Sequence, residues 1–305
     1  MSAYNSKDFG RVAVLMGGMT PERDISLMTG KQITESLQRQ GVDAFAIDLK
    51  DNPIQQIQDA KCDRVFIALH GQFGEDGTVQ AILESLNLPY TGSGVLGSAI
   101  GMEKVVCKKI WQASGLPVIP FEVIRSVDQK DDLIREFGLP MCVKPSRSGS
   151  SVGVSKVKRA EDFEDAYQEA LKYDHIVLAE PWLAGRELSI AVVDHRAYAA
   201  VEIQATREFY DYQAKYFDKT TKHFPVTDLR EELVSEIKRL SVKACKEVHV
   251  EGWARVDWIL YREKLFLLEI NTVPGMTSES LVPISTEAEG LAFDELTVKI
   301  LARTL

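Results

Sequence analysis

Two acidic residues lie inside apolar segments near the C-terminal end of the sequence. Asp257 falls within WARVDWILY, and Glu269 falls near the end of KLFLLEIN. Charged side chains rarely occupy such segments without a partner, because burying an unpaired charge is costly. If residues 262–264 connect two strands of a hairpin, Asp257 lies opposite Glu269, and Arg255 lies opposite Asn271. A two-residue turn would instead put the two carboxylates on opposite faces.

Two facing carboxylates repel each other unless a proton or a cation lies between them. An oxygen-only set of Asp257, Glu269 and Asn271 suits Mg²⁺, with water and phosphate oxygens completing the coordination. In the alternative interpretation, both acids form salt bridges with neighbouring arginines. The hairpin alone does not decide between these interpretations.

A loop rich in glycine and serine, KPSRSGSSVG at 144–153, follows one predicted strand and precedes another. Its backbone N–H groups and hydroxyls can surround phosphate oxygens, and Lys144 at its start supplies positive charge. It differs from a Walker A motif, since G-x-x-x-x-G-K-[ST] does not occur in the chain. A hairpin loop with solvated serines is the alternative.

A second glycine-rich segment, GSGVLG at 92–97, matches the dinucleotide pattern G-x-G-x-x-G. That pattern also requires an acidic residue about 20 positions later. Residues 112–119 read QASGLPVI and contain no acid. The sequence therefore disfavours a nicotinamide site.

Two further loops follow predicted strands near the N-terminus. Glu22 lies in GGMTPER and His70 lies in HGQFGEDG. Ligands of open parallel sheets bind beyond the carboxyl ends of the strands, so both side chains can face one pocket. Alternatively, Glu22 is a first-turn acid favoured by the helix dipole, and His70 is structural. The segment 274–281, close after the hairpin, can hold a substrate carboxylate or form a simple turn.

Alternating strand and helix patterns in the first third of the chain predict a parallel sheet covered by helices. These elements are strands at 12–15, 45–47, 65–69 and 89–91, with helices from Thr20 to about Gln40 and at 77–86. Later elements are helices at 102–113, 129–137, 160–172, 229–248 and 292–303, with strands at 121–124, 140–144, 154–157, 176–180, 187–193, 197–203, 253–260 and 265–270. Residues 206–224 read as a long loop. The predicted domains are 1–92, 93–184 and 185–305.

The composition restricts the class of protein. With 36 basic and 45 acidic residues the net charge is −9, which argues against non-specific nucleic-acid binding. No signal peptide or membrane-spanning segment is predicted, and the four cysteines are widely spaced, as expected for a cytoplasmic protein with reduced thiols.

Taken together, these segments resemble the D-alanine–D-alanine ligase family of the ATP-grasp superfamily. The resemblance covers essentially the whole chain and is carried by GGMTPERDISL, IALHGQFGEDG, YTGSGVLGSA, VKPSRSGSSVGVSKV, YDYQAKY, ARVDW and EINTVPGMTSESLVP. It implies a three-domain α/β fold: an N-terminal parallel α/β domain plus two α+β domains that clasp ATP. It also implies ligation of two D-alanines to D-alanyl-D-alanine through D-alanyl phosphate, for peptidoglycan precursor synthesis. Two Mg²⁺ ions, with Mn²⁺ as a substitute, and a homodimer are implied as well.

The resemblance also implies roles for individual residues. Those implied to bind ATP are Lys104, Lys144, Ser150, Ser151, Glu180, Trp182, Leu183, Glu187 and Lys215. Those implied to hold D-alanine are Glu22, His70, Arg255, Ser280 and Leu281. Those implied to act in catalysis are Glu22, Ser150, Tyr216, Arg255 and the Gly275 backbone. Those implied to bind the metal ions are Asp257, Glu269 and Asn271.

The sequence departs from the family pattern at Pro181, where members often carry a lysine that touches adenine. This removes one donor from the adenine hinge and leaves the chemistry intact. A D-alanyl-D-lactate ligase is the nearest alternative, although Tyr216 is the residue type of the dipeptide-forming enzymes. A nicotinamide-dependent oxidoreductase and a non-enzymatic binding protein are the alternatives from other classes.

Overall fold

The computed structural model describes residues 4–149, 151–204 and 221–305. Within them, three β-sheets follow one another along the chain, with helices packed on each. One parallel and two antiparallel sheets confirm the predicted α/β class. No helix in these ranges is long and apolar enough to cross a membrane. The domain boundaries at 92/93 and 184/185 stay predictions.

The first sheet is parallel, with the strand order β2-β1-β3. Its strands are β1 (Arg11–Gly17), β2 (Asp43–Leu49) and β3 (Arg64–Ile67). The interior of β1 is wholly buried and apolar, as expected for a parallel strand covered on both faces. The helices of this part are α1 (Arg23–Arg39), α2 (Pro53–Asp59) and α3 (Thr78–Ser85). Short α2 was not predicted.

Two predictions for this part of the chain are wrong. Thr20 does not cap α1, which begins at Arg23; its hydroxyl instead donates to the His70 carbonyl oxygen at 3.0 Å. The hydroxyl therefore links the loop after β1 to the loop after β3. The predicted strand at 89–91 forms only an isolated bridge, from Tyr90 to β3.

The second sheet is antiparallel, with the order β4-β7-β5-β6. Its strands are β4 (Glu122–Ile124), β5 (Met141–Pro145), β6 (Ser155–Val157) and β7 (Val177–Pro181). Two helices form its core with apolar side chains such as Leu133 and Phe163: α6 (Lys130–Phe137) and α7 (Phe163–Leu171). The helix predicted at 160–172 is thus shorter, because residues 160–162 form a 3-10 turn.

The third sheet is also antiparallel, with the order β10-β9-β8-β11-β12. Its strands are β8 (Arg186–Val193), β9 (Arg196–Gln204), β10 (Lys222–Pro225), β11 (Trp253–Tyr261) and β12 (Lys264–Asn271). Its helices are α8 (Glu231–Glu247), α9 (Leu281–Glu287) and α10 (Phe293–Leu301). The loop predicted at 206–224 extends too far, because residues 222–224 belong to β10. Residues 206–220 lie outside the described ranges.

The helix predicted at 102–113 is α5 (Lys104–Ala113), and a further helix that was not predicted, α4 (Val95–Met102), precedes it. The extended residue Glu103 separates the two. α5 packs on the third sheet, where Trp111 is buried and its indole N–H donates to the Ala244 carbonyl oxygen at 2.9 Å. α5 therefore precedes the second sheet in the sequence but belongs to the core of the third sheet. This packing fixes the direction in which the α5 lysines point.

Candidate active site

The hairpin of β11 and β12 has a different turn from the predicted one. Tyr261 pairs with Lys264, so that only Arg262 and Glu263 form the connection, with φ angles of 50° and 61°. The predicted connection through 262–264 is wrong. Two positive φ angles in a two-residue loop are typical of the turn type whose twist matches a hairpin.

A β-bulge restores the predicted pairing of the acids. Trp258 pairs with Leu267, whereas Asp257 pairs with Glu269, so Leu268 is an extra residue in β12. The extra residue compensates for the shorter turn. The two carboxylates therefore lie opposite each other as predicted, and the same register holds for the pair of Arg255 and Asn271.

Asp257 is buried and held by three side chains. Its Oδ1 accepts a hydrogen bond from Ser189 Oγ at 2.8 Å, and its Oδ2 accepts from Asn271 Nδ2 at 3.1 Å. The Arg255 guanidinium donates to both oxygens, with Nη2 2.7 Å from Oδ2. The salt-bridge interpretation thus applies to Asp257. Glu269 pairs with a lysine, since its Oε2 lies 3.5 Å from Lys104 Nζ.

These residues offer carboxylate and amide oxygens within one pair of strands, which is the donor set that Mg²⁺ prefers. Among residues 4–149, 151–204 and 221–305, no group of three or more His, Cys, Asp or Glu side chains is placed to hold a metal by itself, so oxygens from outside the chain would have to complete the coordination. The donor set fits Mg²⁺, with phosphate and water oxygens as the further ligands.

A cavity of about 580 Å³ opens between the second and third sheets. Every member of the predicted ATP-binding set that the structure describes lines it, namely Lys104, Lys144, Ser151, Glu180, Trp182, Leu183 and Glu187. Glu269 of the hairpin lines it as well. Ser150 and Lys215 fall outside the described residues.

Two lysines bring positive charge to this cavity. Lys104, the first residue of α5, places Nζ 2.7 Å from the Ser148 carbonyl oxygen of the glycine- and serine-rich loop. Lys144, on β5, places Nζ 2.6 Å from Glu180 Oε2 on β7. Burial favours the neutral amine of Lys144, but the adjacent Glu180 carboxylate outweighs this and raises its pKa above the ordinary value. Lys144 therefore stays charged.

The other wall of the cavity carries an aromatic side chain. Lys156 on β6 places its Nζ 4.3 Å from the centre of the Trp182 ring, which follows β7. The backbone N–H of Trp182 donates to the Pro140 carbonyl oxygen at 3.1 Å and so fixes the chain just after Pro181. A flat ring that lines the cavity beside a lysine is suited to stacking on a nucleobase.

Glu22 and His70 converge on a second region near the first sheet, and both are buried. His70 Nδ1 donates to the Val273 carbonyl oxygen at 2.9 Å, and Nε2 lies 3.2 Å from Thr29 Oγ1. The Glu22 carboxylate lies close to the backbone at Gly71 and at Gly149. A Cβ atom built on Gly71 would lie 2.8 Å from Glu22 Oε2, and one built on Gly149 would lie 3.4 Å from Glu22 Oε1. Glu22 therefore connects the N-terminal loops to the glycine- and serine-rich loop.

The segment 274–281 forms a tight turn before α9. Ser280 Oγ accepts a hydrogen bond from Thr277 N–H at 3.0 Å, and a Cβ at Gly275 would lie 3.2 Å from that oxygen. Leu281 is buried at the start of α9. Tyr216, implied to act in catalysis, lies outside the described residues.

Two family models match the chain. The model described as the D-ala D-ala ligase C-terminus matches residues 110–302, and the model described as the D-ala D-ala ligase N-terminus matches residues 50–93. The chain belongs to the D-alanine–D-alanine ligase family. The resemblance carried by the motifs is confirmed.

Individual relatives of this ligase family match the chain over nearly its full length. D-alanine–D-alanine ligase B of Chromobacterium violaceum is 44% identical, over 97% of this chain and 98% of its own. D-alanine–D-alanine ligase of Acinetobacter baumannii is 45% identical, over 99% and 98%. A crystal structure of the Bacillus anthracis ligase complexed with ATP has a TM-score of 0.84 at 29% identity and covers 97% of each chain. The predicted fold of the ligase family is confirmed.

Three charged residues near these pockets were not predicted from the ligase motifs. Lys156 lies two residues after Val154, which also lines the cavity, and Lys108 lies one helical turn after Lys104, so their spacing is the signal that could have found them. Glu75 lies within the HGQFGEDG motif, with Oε1 3.6 Å from His70 Nδ1. Burial raises the pKa of the Glu75 carboxyl, and His70 offsets part of that rise.

Proposed function

We propose that this chain joins two D-alanine molecules to D-alanyl-D-alanine, using ATP and passing through D-alanyl phosphate, in the synthesis of a peptidoglycan precursor. The observation that carries the proposal is the arrangement of one cavity. It is lined on one side by Lys104 and Lys144 and ends at Glu269, which faces Asp257 across the hairpin. Membership of the ligase family supports the same activity.

The cavity between the sheets would hold ATP. Trp182, Leu183 and Glu180 lie at one end, where the purine would stack and the backbone would meet its edge. Lys104 and Lys144 would lie beside the phosphates and neutralise the charge that spreads over them as the γ-phosphoryl group is transferred. Ser150, Ser151 and Lys215 are proposed to close over the same phosphates, and Glu187 to hold the ribose.

Asp257, Glu269 and Asn271 would hold two Mg²⁺ ions at the phosphate end of the cavity. Bound there, the metal would neutralise charge on the β- and γ-phosphates. The chain's own residues prepare this site: Ser189 and Arg255 fix the orientation of the Asp257 carboxylate, and Lys104 fixes Glu269. We propose that Mn²⁺ can replace Mg²⁺, since both accept oxygen ligands.

The amino-acid substrates would lie between Glu22 and the turn at 274–281. Glu22 would pair with the ammonium group of the first D-alanine, whose carboxylate oxygen attacks the γ-phosphorus and releases ADP. The amine of the second D-alanine, after losing a proton, attacks the carbonyl carbon and displaces phosphate. Arg255 and the Gly275 N–H would stabilise the oxyanion of that step. His70, Ser280 and Leu281 would hold the substrates, and Tyr216 would link to Ser150 and Glu22.

Phosphate release tests the proposal directly. We expect the purified chain with ATP and Mg²⁺ to release phosphate in the presence of D-alanine, together with D-alanyl-D-alanine detected by mass spectrometry. L-alanine should support neither. Equal rates with both enantiomers, or phosphate release without dipeptide, would refute the substrate assignment. A product containing D-lactate at neutral pH would instead favour the D-alanyl-D-lactate alternative.

A matched pair of variants tests the hairpin. Glu269→Gln removes a carboxylate that lines the cavity, whereas Glu263→Gln removes an exposed one from the turn of the same hairpin. Removing one hard-cation ligand is expected to lower kcat by about a hundredfold or more and to raise the Mg²⁺ requirement, in line with the size of electrostatic contributions to catalysis. Glu263→Gln should match the native chain. Full activity of Glu269→Gln, or of the native chain in excess EDTA, would overturn the metal assignment.

The family resemblance also suggests a cytoplasmic homodimer. Light scattering on the purified chain should give about twice the mass of 34.1 kDa. Cell fractionation should place the activity with the soluble contents of the cell. A monomeric active species would remove the dimer from the proposal and leave the chemistry unchanged.

A further inference from the structure

Three charged side chains form a buried cluster at the wall of the nucleotide cavity. Glu180 Oε1 lies 2.7 Å from Lys108 Nζ, and Glu180 Oε2 lies 2.6 Å from Lys144 Nζ. Glu180 and Lys108 are only 2% and 1% exposed. Glu180 and Lys144 line the cavity, whereas Lys108 is enclosed behind them. The ligase motifs give Lys108 no role.

The position of Lys108 is fixed by the packing of α5. Lys104 and Lys108 are four residues apart and so share one face of the helix. Cys107 and Trp111 follow Lys104 by three and seven residues, so they lie on the adjoining part of the same face, where they are buried in the core of the third sheet. The Phe121 ring centre lies 5.8 Å from Lys108 Nζ and covers it from another direction. Lys108 therefore has little freedom to turn away from Glu180.

The cluster is unbalanced in charge, since two ammonium groups face one carboxylate and leave one net positive charge. Burial raises the pKa of the Glu180 carboxyl, but Lys108 and Lys144 outweigh this and hold it below the ordinary value. Burial lowers the pKa of the Lys108 ammonium below the ordinary value, and Glu180 offsets only part of this. An uncompensated charge in a dry wall acts more strongly on a bound anion than the same charge in water.

On the basis of the proposed ATP site, we infer that Lys108 is a positioning residue that holds one oxygen of Glu180 from behind and leaves the charge of Lys144 available to nucleotide phosphates. Without Lys108, both Glu180 oxygens can pair with Lys144. The cluster then carries no net charge toward the cavity. The attraction for phosphates falls, while contacts with the purine and ribose remain.

A purely structural role of Lys108 predicts a different pattern. If Lys108 only supported the fold of the cavity wall, its loss would weaken adenosine and ATP alike. The ratio of the dissociation constants of adenosine and ATP therefore separates the two roles, because contacts to the base and ribose cancel in it.

The test compares Lys108→Met with Lys109→Met, an exposed lysine at the next position of α5. Titration calorimetry on the full chain with Mg²⁺ measures binding of ATP and of adenosine. We expect Lys108→Met to raise the Kd for ATP about tenfold, as one unit charge acting over roughly 10 Å at an effective dielectric of about 20 would. Adenosine binding should stay within about twofold, and Lys109→Met should match the native chain.

Two further variants keep the inference falsifiable if Lys108→Met does not fold. Lys108→Arg retains the charge and should keep the adenosine-to-ATP ratio near that of the native chain. The double variant with Lys108→Met and Glu180→Gln leaves Lys144 as one uncompensated charge, so it should recover the ratio that Lys108→Met loses. In steady state, the KM for ATP of Lys108→Met should rise while the KM for D-alanine holds.

Several results would overturn the inference. They are an ATP affinity of Lys108→Met within about twofold of native, an equal loss of adenosine and ATP binding, or a double variant with a lower ratio than Lys108→Met. A native chain that binds ATP no more tightly than adenosine would overturn it as well. Tight ATP binding without dipeptide formation would refute the proposed function while leaving this test in place.

Discussion

Ser189→Ala tests how firmly the neighbouring strand holds the proposed metal ligand Asp257. Ser189 lies on β8, directly opposite Asp257 on β11, and its hydroxyl donates to Asp257 Oδ1 at 2.8 Å. The remaining partners of the carboxylate are Arg255 and Asn271, which contact it from β11 and β12. The substitution therefore removes one of the supports of Asp257 and leaves the charge of the site unchanged.

The size of the effect follows from burial. A hydrogen bond to a charged group contributes about 1.5–3 kcal/mol, and leaving a buried acceptor without its partner adds desolvation cost. Water cannot easily replace the hydroxyl, because Ser189 and Asp257 are 1% and 2% exposed. Since Arg255 still donates to the same oxygen, we expect the lower part of the range, about 1.5–2 kcal/mol of unfolding free energy. A looser carboxylate should also weaken Mg²⁺ activation by up to about tenfold, the factor that corresponds to 1.4 kcal/mol.

Two measurements check this prediction: urea unfolding, and phosphate release as a function of free Mg²⁺. Ser98→Ala is the control, since Ser98 is equally buried but donates to the Ser93 backbone carbonyl oxygen at 3.3 Å, away from any carboxylate. It should lose stability without changing the Mg²⁺ dependence. Unchanged stability and Mg²⁺ dependence in Ser189→Ala would refute the reasoning, as would an equal shift of the Mg²⁺ dependence in both variants.

Three further predictions concern the surroundings of the site. Glu75→Gln tests a carboxyl whose pKa burial raises above its ordinary value of 4.5. The stability that the protonated group contributes is complete below that value and is lost as pH rises through the raised pKa, so the variant should gain stability relative to the native chain as pH increases. Equal pH curves in urea unfolding would contradict this. Gly97→Ala should lower the unfolding free energy by about 1–3 kcal/mol, because its Cβ would overlap the His249 carbonyl oxygen, and an unchanged melting temperature in calorimetry would rule out that contact. Lys156→Met should weaken adenosine binding about two- to fivefold, through loss of a cation–π contact 4.3 Å from the Trp182 ring, and unaltered calorimetric affinity would show that the contact does not order the ring.

The long apolar elements were predictable because their burial follows from sequence pattern alone. Runs such as the interior of β1 are apolar at consecutive positions, which is typical of strands covered on both faces. The 17-residue helices α1 and α8 carry amphipathic patterns long enough to be recognised. The short helices α2 and α9 have seven residues each and were missed, since two turns give too little periodicity.

The pairing of Asp257 with Glu269 was predicted correctly through an incorrect turn. Sequence cannot easily reveal that one residue fewer in the turn is offset by an extra residue, Leu268, in the strand. The predicted pairing was nevertheless correct, because the shorter turn and the extra strand residue cancel in the register. The position of Lys108 was not predictable in this way, since its partner Glu180 comes from a distant part of the chain.

The parts of the proposed site come from different sheets, and α5 explains how they keep their spacing. Its first residue, Lys104, contacts the Ser148 carbonyl oxygen of the second sheet's loop and lies 3.5 Å from Glu269 of the third sheet. One turn later, Lys108 contacts Glu180 of the second sheet while Trp111 packs in the core of the third. A change in the spacing of the two sheets would therefore break charged contacts at both turns of the helix. The contact of Lys108 is buried and those of Lys104 are partly buried, so their loss would leave charges with little access to water. α5 therefore restricts the cavity to the width at which its lysines and carboxylates stay paired.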